Sequence, residues 1–406
     1  MAIFNRKGKN ANRSDDGGSS GGAEKKAFTQ RKPANTAFKQ QRLKAWQPIL
    51  TPKTVLPTFF LIGLIFAPIG AVLYYYASQV SEFTLDYTDC YKQSDSITEM
   101  PSDKYNFNIV GNADPFPFSA PAWHTVANTS APTGKACEIF FTLTNTLQPT
   151  VLLYYKLTNY YQNHRRYVKS IDMNQLIGKN VSASSLQGGN CKPLGEIDGK
   201  GIYPCGLIAN SMFNDTIFDP VLLNAPTTTK RQESGATKQY VMSEKNIIWP
   251  GEKKKYLKTS QDPNELAPPP YWRGSFPTGV IAPYSYPNGY STNQIYDPSD
   301  DEHFMVWMSV AGLPTFRKLY KRNDNDALQS GRYSIMIFDN YPVDMFHGTK
   351  SIVISTVTWV GGRSVFLGAA FIATAALCVL LGLIFTARHL IRPRKLGDLS
   401  MLSWNE

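Results

Sequence analysis

The sequence predicts a membrane protein in which two transmembrane helices flank a mainly antiparallel β, sandwich-like ectodomain with two disulfides. Three observations support this prediction: two apolar runs, a long loop between them (81–364) rich in strand-forming residues, and four cysteines in that loop. The runs, residues 55–80 and 365–387, contain no Asp, Glu, Lys or Arg. Each exceeds the roughly 20 residues that cross about 30 Å of hydrocarbon, which excludes a purely soluble protein.

The two tails hold the basic excess of the chain. Residues 1–54 contain 12 Lys and Arg against 3 Asp and Glu, and residues 388–406 contain 4 against 2. The loop between the runs is charge-balanced, so the net charge of +11 lies on the tails. The positive-inside rule therefore predicts that both termini are cytosolic and that the loop is extracellular or luminal. Basic residues beside a span favour anionic lipid as their neighbour and argue against a nucleic-acid partner.

The first apolar run is interpreted as a signal anchor. A cleaved signal peptide is disfavoured because the run follows a long polar tail, whose residues 1–36 are typical of disorder, and is too long for an h-region. Pro68 is expected to kink the helix. Small residues such as Gly70 and Gly368 permit close helix packing, or simply face lipid. Neither run contains an ionisable residue, so neither predicts an ion path by itself.

The cysteines of the loop are typical of an oxidising compartment. Cys90, Cys137, Cys191 and Cys205 allow three pairings. Cys90 with Cys137 and Cys191 with Cys205 is the predicted pairing because it closes the shortest loops. Buried free thiols are the alternative. Cys378 lies inside the second run and is left out of the pairing.

Three glycosylation sequons fall in the same loop and predict glycans at Asn128, Asn180 and Asn214. A fourth sequon, at Asn12, lies on the tail that is predicted to be cytosolic and is not expected to be used. Charge, cysteines and sequons therefore predict the same topology by three separate routes.

Strand-forming residues are concentrated in four parts of the loop. Residues 138–147, 150–157, 334–338 and 351–359 are rich in β-branched and aromatic side chains and predict strands. Residues 260–293 are dense in Pro, Tyr and Gly and predict an ordered but irregular excursion. An antiparallel sandwich is the layer architecture that fits this pattern best.

No catalytic or cofactor-binding motif occurs in its required context. The Gly-x-Ser-x-Gly match lies within the Gly/Ser run at 17–22, where a nucleophile elbow has no strand–turn–helix to support it. Residues 195–200 are one residue short of a phosphate-binding loop. The five histidines form no pair with zinc-ligand spacing. We therefore expect no cofactor and no enzymatic activity.

Six dense motifs follow one another along the loop. They are YYKLTNYYQNHRRY (154–167), YPCGLIANSMFNDT (203–216), HFMVWM (303–308), LPTFRKLY (313–320), NYPV with the following Phe, Gly and Lys (340–350), and TWVGGR (358–363). In this order and between two spans, they resemble the ligand-effect modulator / cell division control protein 50 family, the accessory β-subunits of type-IV P-type ATPases. The resemblance covers residues 38–388. It is of the fungal type, because the further cysteine pair of animal members is absent.

The resemblance implies a non-catalytic subunit that forms a heterodimer with a type-IV P-type ATPase, a phospholipid flippase. It implies roles in the stability of the pump, in exit of the complex from the endoplasmic reticulum, and in the phosphorylation cycle that moves phospholipid to the cytosolic leaflet. The expected membranes are the endoplasmic reticulum, the Golgi or endosomes, and the plasma membrane. The four loop cysteines match the two pairs that the family shares.

Residues predicted to bind the partner combine aromatic and basic side chains. They are Phe38, Arg42, Trp46, Arg165, Arg166 and Trp359. Two other classes of function stay open. A two-span surface receptor would have an ectodomain that binds a ligand without an obligate partner, and a tethered luminal hydrolase would show activity in its isolated loop.

Overall fold

The computed structural model of the chain describes residues 35–44, 50–111, 117–128, 134–223, 238–274, 284–292 and 294–393. The chain divides into two compact units, Met1–Val55 and Leu56–Glu406. The second unit contains both sheets of the ectodomain and almost all of the two long helices. Trp46, a predicted partner-binding residue, lies outside the described residues.

Two long helices carry the apolar runs. They are α1 (Pro52–Ser78) and α8 (Val365–Ile391), and both are long and apolar enough to cross a membrane. α1 continues through Pro57 and Pro68. The other helices in the described part of the chain are short: α2 (Arg165–Lys169), α3 (Met173–Leu176), α4 (Ala183–Gly188), α5 (Leu207–Asn210), α6 (Pro250–Lys253) and α7 (Glu302–Met308).

The two long helices pack directly on each other through small residues. The buried residues recur every seventh position: Gly63, Gly70 and Ala77 on α1, and Gly368, Ala375 and Gly382 on α8. A seven-residue period keeps one stripe facing the partner helix in a left-handed crossing. A Cβ atom on Gly368 would lie 2.6 Å from the backbone nitrogen of Tyr74, and one on Gly70 would lie 2.9 Å from that of Ile372. Only glycine permits this approach of the two backbones.

Other small residues of the spans do not take part in this contact. Ala67, Ala369 and Ala373 are exposed on the outer faces of the helices. The close packing of the spans therefore depends on the stripe with the seven-residue period and not on small side chains in general.

Fifteen strands occur in the described part of the ectodomain. They are β1 (Glu82–Asp86), β2 (Thr98–Glu99), β3 (Tyr105–Asn108), β4 (Ala122–Ala127), β5 (Lys135–Leu143), β6 (Val151–Leu157), β7 (Glu196–Ile197), β8 (Lys200–Ile202), β9 (Thr216–Ile217), β10 (Val221–Leu222), β11 (Lys238–Gln239), β12 (Leu266–Ala267), β13 (Phe316–Asn323), β14 (Gly331–Phe338) and β15 (Lys350–Thr356). The predicted strands correspond to β5, β6, β14 and β15.

Two antiparallel sheets form the body of the ectodomain. One has the strand order β13-β6-β15-β1-β3, and the other has the order β11-β10-β14-β5-β4-β2, with β9 also paired to β14. Along β6 every second residue is buried, which is typical of a strand with one face against a core. The ring centroids of Phe83 in β1 and Phe141 in β5 lie 5.2 Å apart between the sheets. The predicted fold class, two spans around a β-sandwich with two disulfides, is confirmed.

Two disulfides connect parts of this fold. Cys90, just after β1, is bonded to Cys137 in β5 and so joins the segment that follows the first sheet to the second sheet. Cys191 is bonded to Cys205 and, with Leu186 and Ile202, forms a small separate core beside the three-stranded sheet β12-β8-β7. These are the two pairs that close the shortest loops.

The two ends of the five-stranded sheet lie at different distances from the spans. At one end Glu82, the first residue of β1, pairs with Ser355 near the end of β15, where the chain enters and leaves the spans. At the other end Leu157 pairs with both Lys350 and Phe316. We call these the span end and the far end. Six residue steps of about 3.3 Å along β15 separate them by roughly 20 Å.

The helix pair yields a prediction that Gly368→Leu lowers the apparent melting temperature of the detergent-purified chain. The new side chain would overlap the backbone at Tyr74, and such overpacking costs about 1–3 kcal/mol. Ala369→Leu is the matched control, because Ala369 is the neighbouring residue and is exposed. Equal melting temperatures for the two variants would contradict the close packing of the spans.

Candidate partner-binding surfaces

The lipid-facing surface of the helix pair consists mainly of large apolar side chains. The glycine stripes face each other, so the outer faces present mainly large apolar side chains, with the exposed alanines Ala67, Ala369 and Ala373 among them. The exposed large residues include Leu61, Leu64, Ile65, Ile69 and Val72 on α1, and Phe366, Leu367, Leu377, Leu380, Leu383, Ile384 and Phe385 on α8. Another transmembrane helix that packs on this surface contacts mainly these large side chains.

Trp359 lies where the ectodomain joins the spans. It is 73% exposed, and its ring meets the edge of Tyr76 near the end of α1 at a centroid distance of 5.1 Å. A tight turn from Thr358 to Gly361 holds it, with hydrogen bonds in both directions between the two backbones and a φ of +120° at Gly361. A large aromatic ring that is fixed on one edge and open on its other side is suited to bind a partner.

The span end is fixed by contacts between the segments that lead into the two helices. The backbone N–H of Thr356 donates to the carbonyl of Ser81 at 2.9 Å, and the N–H of Ser81 donates to the Thr356 hydroxyl at 3.0 Å. Arg317 pairs with Glu82 and covers the ring of Tyr154 at 4.9 Å. The position of Trp359 is therefore coupled to the first sheet.

The far end is built from three loops that are remote in sequence. The side-chain oxygen of the fully buried Gln162 accepts from the N–H of Ala311 at 2.9 Å, and the side-chain amide of Asn163 donates to the carbonyl of Gly312 at 2.9 Å. The side-chain amide of Asn159 donates to the carbonyl of Phe346 at 2.6 Å. Side chains of the first motif thus hold the loops before the fourth motif and within the fifth. Apart from the density of amide side chains, no pattern in the sequence predicts these pairings.

Arg165 and Arg166 lie at this far end, where they begin α2, and both are exposed. The structure does not bring them together with Trp359, which is at the span end. Phe38 is 76% exposed, and Arg42 donates a hydrogen bond to Asn35 within the N-terminal unit. Arg165 and Arg166 therefore lie on a different surface of the ectodomain from Trp359, and Phe38 and Arg42 belong to the N-terminal unit.

The three sequon asparagines differ in their surroundings. Asn180 is exposed, and its side-chain oxygen accepts from the Ser260 hydroxyl at 3.1 Å. Asn128 is half-buried, and its amide contacts the sulfur of Met336 at 3.7 Å. Asn214 is half-buried beside β9, and its side-chain oxygen is inaccessible.

A buried ammonium group connects the loops around these surfaces. Lys350 is 1% exposed, and its Nζ donates to Asp215 Oδ2 at 2.8 Å, to Asp339 Oδ1 at 2.5 Å and to the Tyr341 carbonyl at 2.7 Å. All three protons of the ammonium group thus have acceptors. A buried charge needs such partners, because an unpaired one would cost several kcal/mol.

Asp215 is the centre of this cluster. Its Oδ1 accepts the backbone N–H groups of Asn340 and Tyr341, both at 2.6 Å, and its Oδ2 also accepts the hydroxyl of Tyr87 at 2.8 Å. Tyr87 follows β1, Lys350 begins β15, and Asp215 precedes β9. One carboxylate therefore ties the first sheet to the second sheet and to the loop between β14 and β15.

The protonation states follow from burial and charge. Burial alone lowers the pKa of Lys350, but the carboxylates of Asp215 and Asp339 outweigh it, so that its pKa is raised and the group stays charged. Burial raises the pKa of Asp339 to about 6, and the charge of Asp215 acts in the same direction. At neutral pH two carboxylates share one ammonium, and protonation of Asp339 makes the cluster neutral.

The described residues contain no group of three or more His, Cys, Asp or Glu side chains placed to hold a metal ion. The fold defines a class of protein: a two-span membrane protein with a disulfide-linked sandwich.

Comparison with known proteins identifies the family. A family model described as LEM3 (ligand-effect modulator 3) family / CDC50 family matches residues 73–395. The phospholipid-transporting ATPase accessory subunit CDC50 of Chaetomium thermophilum is 37% identical over 100% of this chain and 98% of its own. The accessory subunit LEM3 of Saccharomyces cerevisiae is 37% identical over 92% and 87%, and cell cycle control protein 50A of Bos taurus is 39% identical over 87% and 88%. This chain belongs to the LEM3/CDC50 family.

The buried cluster predicts that Lys350→Met is strongly destabilising, by about 3–5 kcal/mol, because two carboxylates lose their counter-charge. The measurement is the yield and apparent melting temperature of the full chain. Lys92→Met, which removes an exposed ion pair with Asp89, is the control and should have little effect. Adding Asp339→Asn to Lys350→Met should recover part of the loss. A double variant no more stable than the single one would contradict the charge argument.

The cluster also predicts a pH dependence of stability. The folded pKa of Asp339, about 6, lies above its ordinary value of 3.8, so the folded state binds this proton more tightly than the unfolded state. Its contribution to the free energy of unfolding therefore rises as the pH falls through about 6 and levels off below about 4. We expect the melting temperature of wild type minus that of Asp339→Asn to increase by a few degrees from about pH 7.5 to about pH 5. A difference that is constant with pH would refute this assignment.

Proposed function

We propose that this chain is the non-catalytic accessory subunit of a phospholipid-transporting ATPase and forms a heterodimer with the catalytic, type-IV P-type subunit. The observation that carries the proposal is that relatives named as such subunits match the chain over nearly its whole length, including both spans and the ectodomain. The chemical work of ATP hydrolysis and lipid movement then belongs to the larger subunit.

The finer roles extend the same proposal. The subunit would stabilise its pump, permit exit of the complex from the endoplasmic reticulum and support the phosphorylation cycle that moves phospholipid to the cytosolic leaflet. Both tails would be cytosolic and the ectodomain luminal or extracellular, in the endoplasmic reticulum, the Golgi or endosomes and the plasma membrane. The basic tails and the two disulfides support this orientation, because disulfides persist in oxidising compartments.

The proposed contact with the pump has three parts. In the membrane, the outer faces of α1 and α8 pack on helices of the larger subunit, because the glycine stripes are already occupied by each other. At the span end, Trp359 is an exposed anchor beside Tyr76. On the cytosolic side, Phe38, Arg42 and Trp46 are proposed to contact the pump.

Arg165 and Arg166 define a fourth, separate contact. Arg165 and Arg166 lie at the far end of the sheet, away from the spans. They can therefore contact the pump only if a loop of the pump extends along the ectodomain to reach them. Exposed cations in such a position act mainly on the rate and specificity of association.

The test is affinity purification of the tagged full chain in mild detergent, followed by mass spectrometry. We expect near-stoichiometric recovery of a type-IV P-type ATPase with the wild type. Trp359→Ala should lower the recovery several-fold, because loss of an aromatic anchor at an interface costs about 2 kcal/mol or more.

Trp249→Ala is the matched control for this experiment, since Trp249 is 82% exposed in the ectodomain. It should leave recovery unchanged. A wild-type chain that is purified alone, folded and past the endoplasmic reticulum would overturn the proposal and favour a receptor. Equal recovery with both tryptophan variants would remove Trp359 from the interface.

A further inference from the structure

A cavity of about 550 Å³ opens at the far end of the ectodomain. Its walls come from the loop after β6, from α5 and the residues after it, from the segment around Trp272, and from the loop between β14 and β15. Tyr160, Tyr271, Tyr341 and Phe346 supply aromatic surface. This volume falls within the range of cavities that hold a small ligand.

The chemistry of the walls is specific in two respects. Among the described residues that line the cavity there is no Asp, Glu, Lys or Arg. Two lining residues, Asn214 and Asn340, have buried side-chain oxygens without a hydrogen-bond partner in the described part of the chain. The side-chain amide of Asn340 donates to the carbonyl of Asn214 at 3.0 Å and fixes the relative position of the two residues.

These walls match an uncharged ligand with apolar faces. Aromatic rings offer an electron-rich face to the weakly positive C–H groups of a ligand. Sugar rings present such C–H faces without a net charge, whereas lipid phosphates and charged peptide side chains would find no counter-charge among the described wall residues.

The identity of one wall residue selects the source of the sugar. Asn214 begins the sequon Asn214-Asp215-Thr216 and itself lines the cavity. We propose that the cavity is the seat of the inner sugars of an N-linked glycan attached to Asn214. The inference rests on the luminal orientation proposed above, and it assigns to this glycan a structural place that the exposed Asn180 does not offer.

A seated glycan also accounts for apolar surface at the mouth of the cavity. Tyr271 is 65% exposed and Met345 is 70% exposed, and both line it. Sugars that cover them would join the loop between β14 and β15 to the segment before Trp272. The far end would then be held by carbohydrate in addition to the hydrogen bonds of Asn159, Gln162 and Asn163.

The test is the rate at which a peptide N-glycosidase releases each glycan from the folded, detergent-purified chain, with site occupancy followed by mass spectrometry. We expect the glycan at Asn214 to be released at least roughly tenfold more slowly than the one at Asn180, because cleavage must wait until the sugars leave the cavity. Tyr271→Ala should accelerate release at Asn214 and leave the rate at Asn180 unchanged.

Tyr161→Ala is the matched control, since Tyr161 is 57% exposed at the same end but does not line the cavity. It should change neither rate, and the melting temperature of each variant verifies folding. Equal rates of glycan release from Asn214 and Asn180, or no effect of Tyr271→Ala on these rates, would overturn the proposal that sugars occupy the cavity. If Asn180 is glycosylated and Asn214 is not, the proposed glycan in the cavity is overturned but the luminal orientation of the ectodomain still holds. If no sequon carries a glycan, both the glycan in the cavity and the luminal orientation are overturned.

Discussion

The ectodomain depends on one buried ion cluster, in which the ammonium of Lys350 meets the carboxylates of Asp215 and Asp339. These groups belong to segments that are up to 135 residues apart in sequence, and no apolar contact could specify their relative positions so narrowly. In this arrangement the ammonium donates to three acceptors, whereas Asp339 Oδ2 is buried without a hydrogen-bond partner among the described residues. Removing one member of such a buried ion cluster leaves an uncompensated charge and is strongly destabilising.

Lys350 also lies at the start of the strand that leads into α8. From the cluster, β15 runs through the five-stranded sheet to Thr356, which is hydrogen-bonded to the residue that precedes β1. The helix pair then continues this alignment, because its glycine stripes let the two backbones touch. Together these contacts form a continuous series of packed and hydrogen-bonded residues that runs from the far end, through the sheet, to the two long helices.

The two ends of the sheet differ in the molecules that they can meet. The span end presents Trp359 and the outer faces of the helices to anything that lies in the same membrane. The far end presents Arg165, Arg166 and the aromatic cavity, roughly 20 Å away along the strand. The proposed contact at Trp359 and the proposed glycan at Asn214 would therefore lie on separate surfaces.

The spans, the cysteine pairing by shortest loops, the long strands and, through six ordered motifs, the family could be predicted from the sequence. Most of these predictions rest on local properties, such as an uncharged run of spanning length and β-branched residues in succession. Which small residues of the spans touch could be learned from the fold alone, since Gly70 and Ala67 look alike in sequence but lie on different faces. The fold also shows that Asp215, Asp339 and Lys350 share one site and that Arg165 lies far from Trp359. Such pairings depend on strand register and on loops that meet in space, for which residue patterns along the chain carry no direct signal.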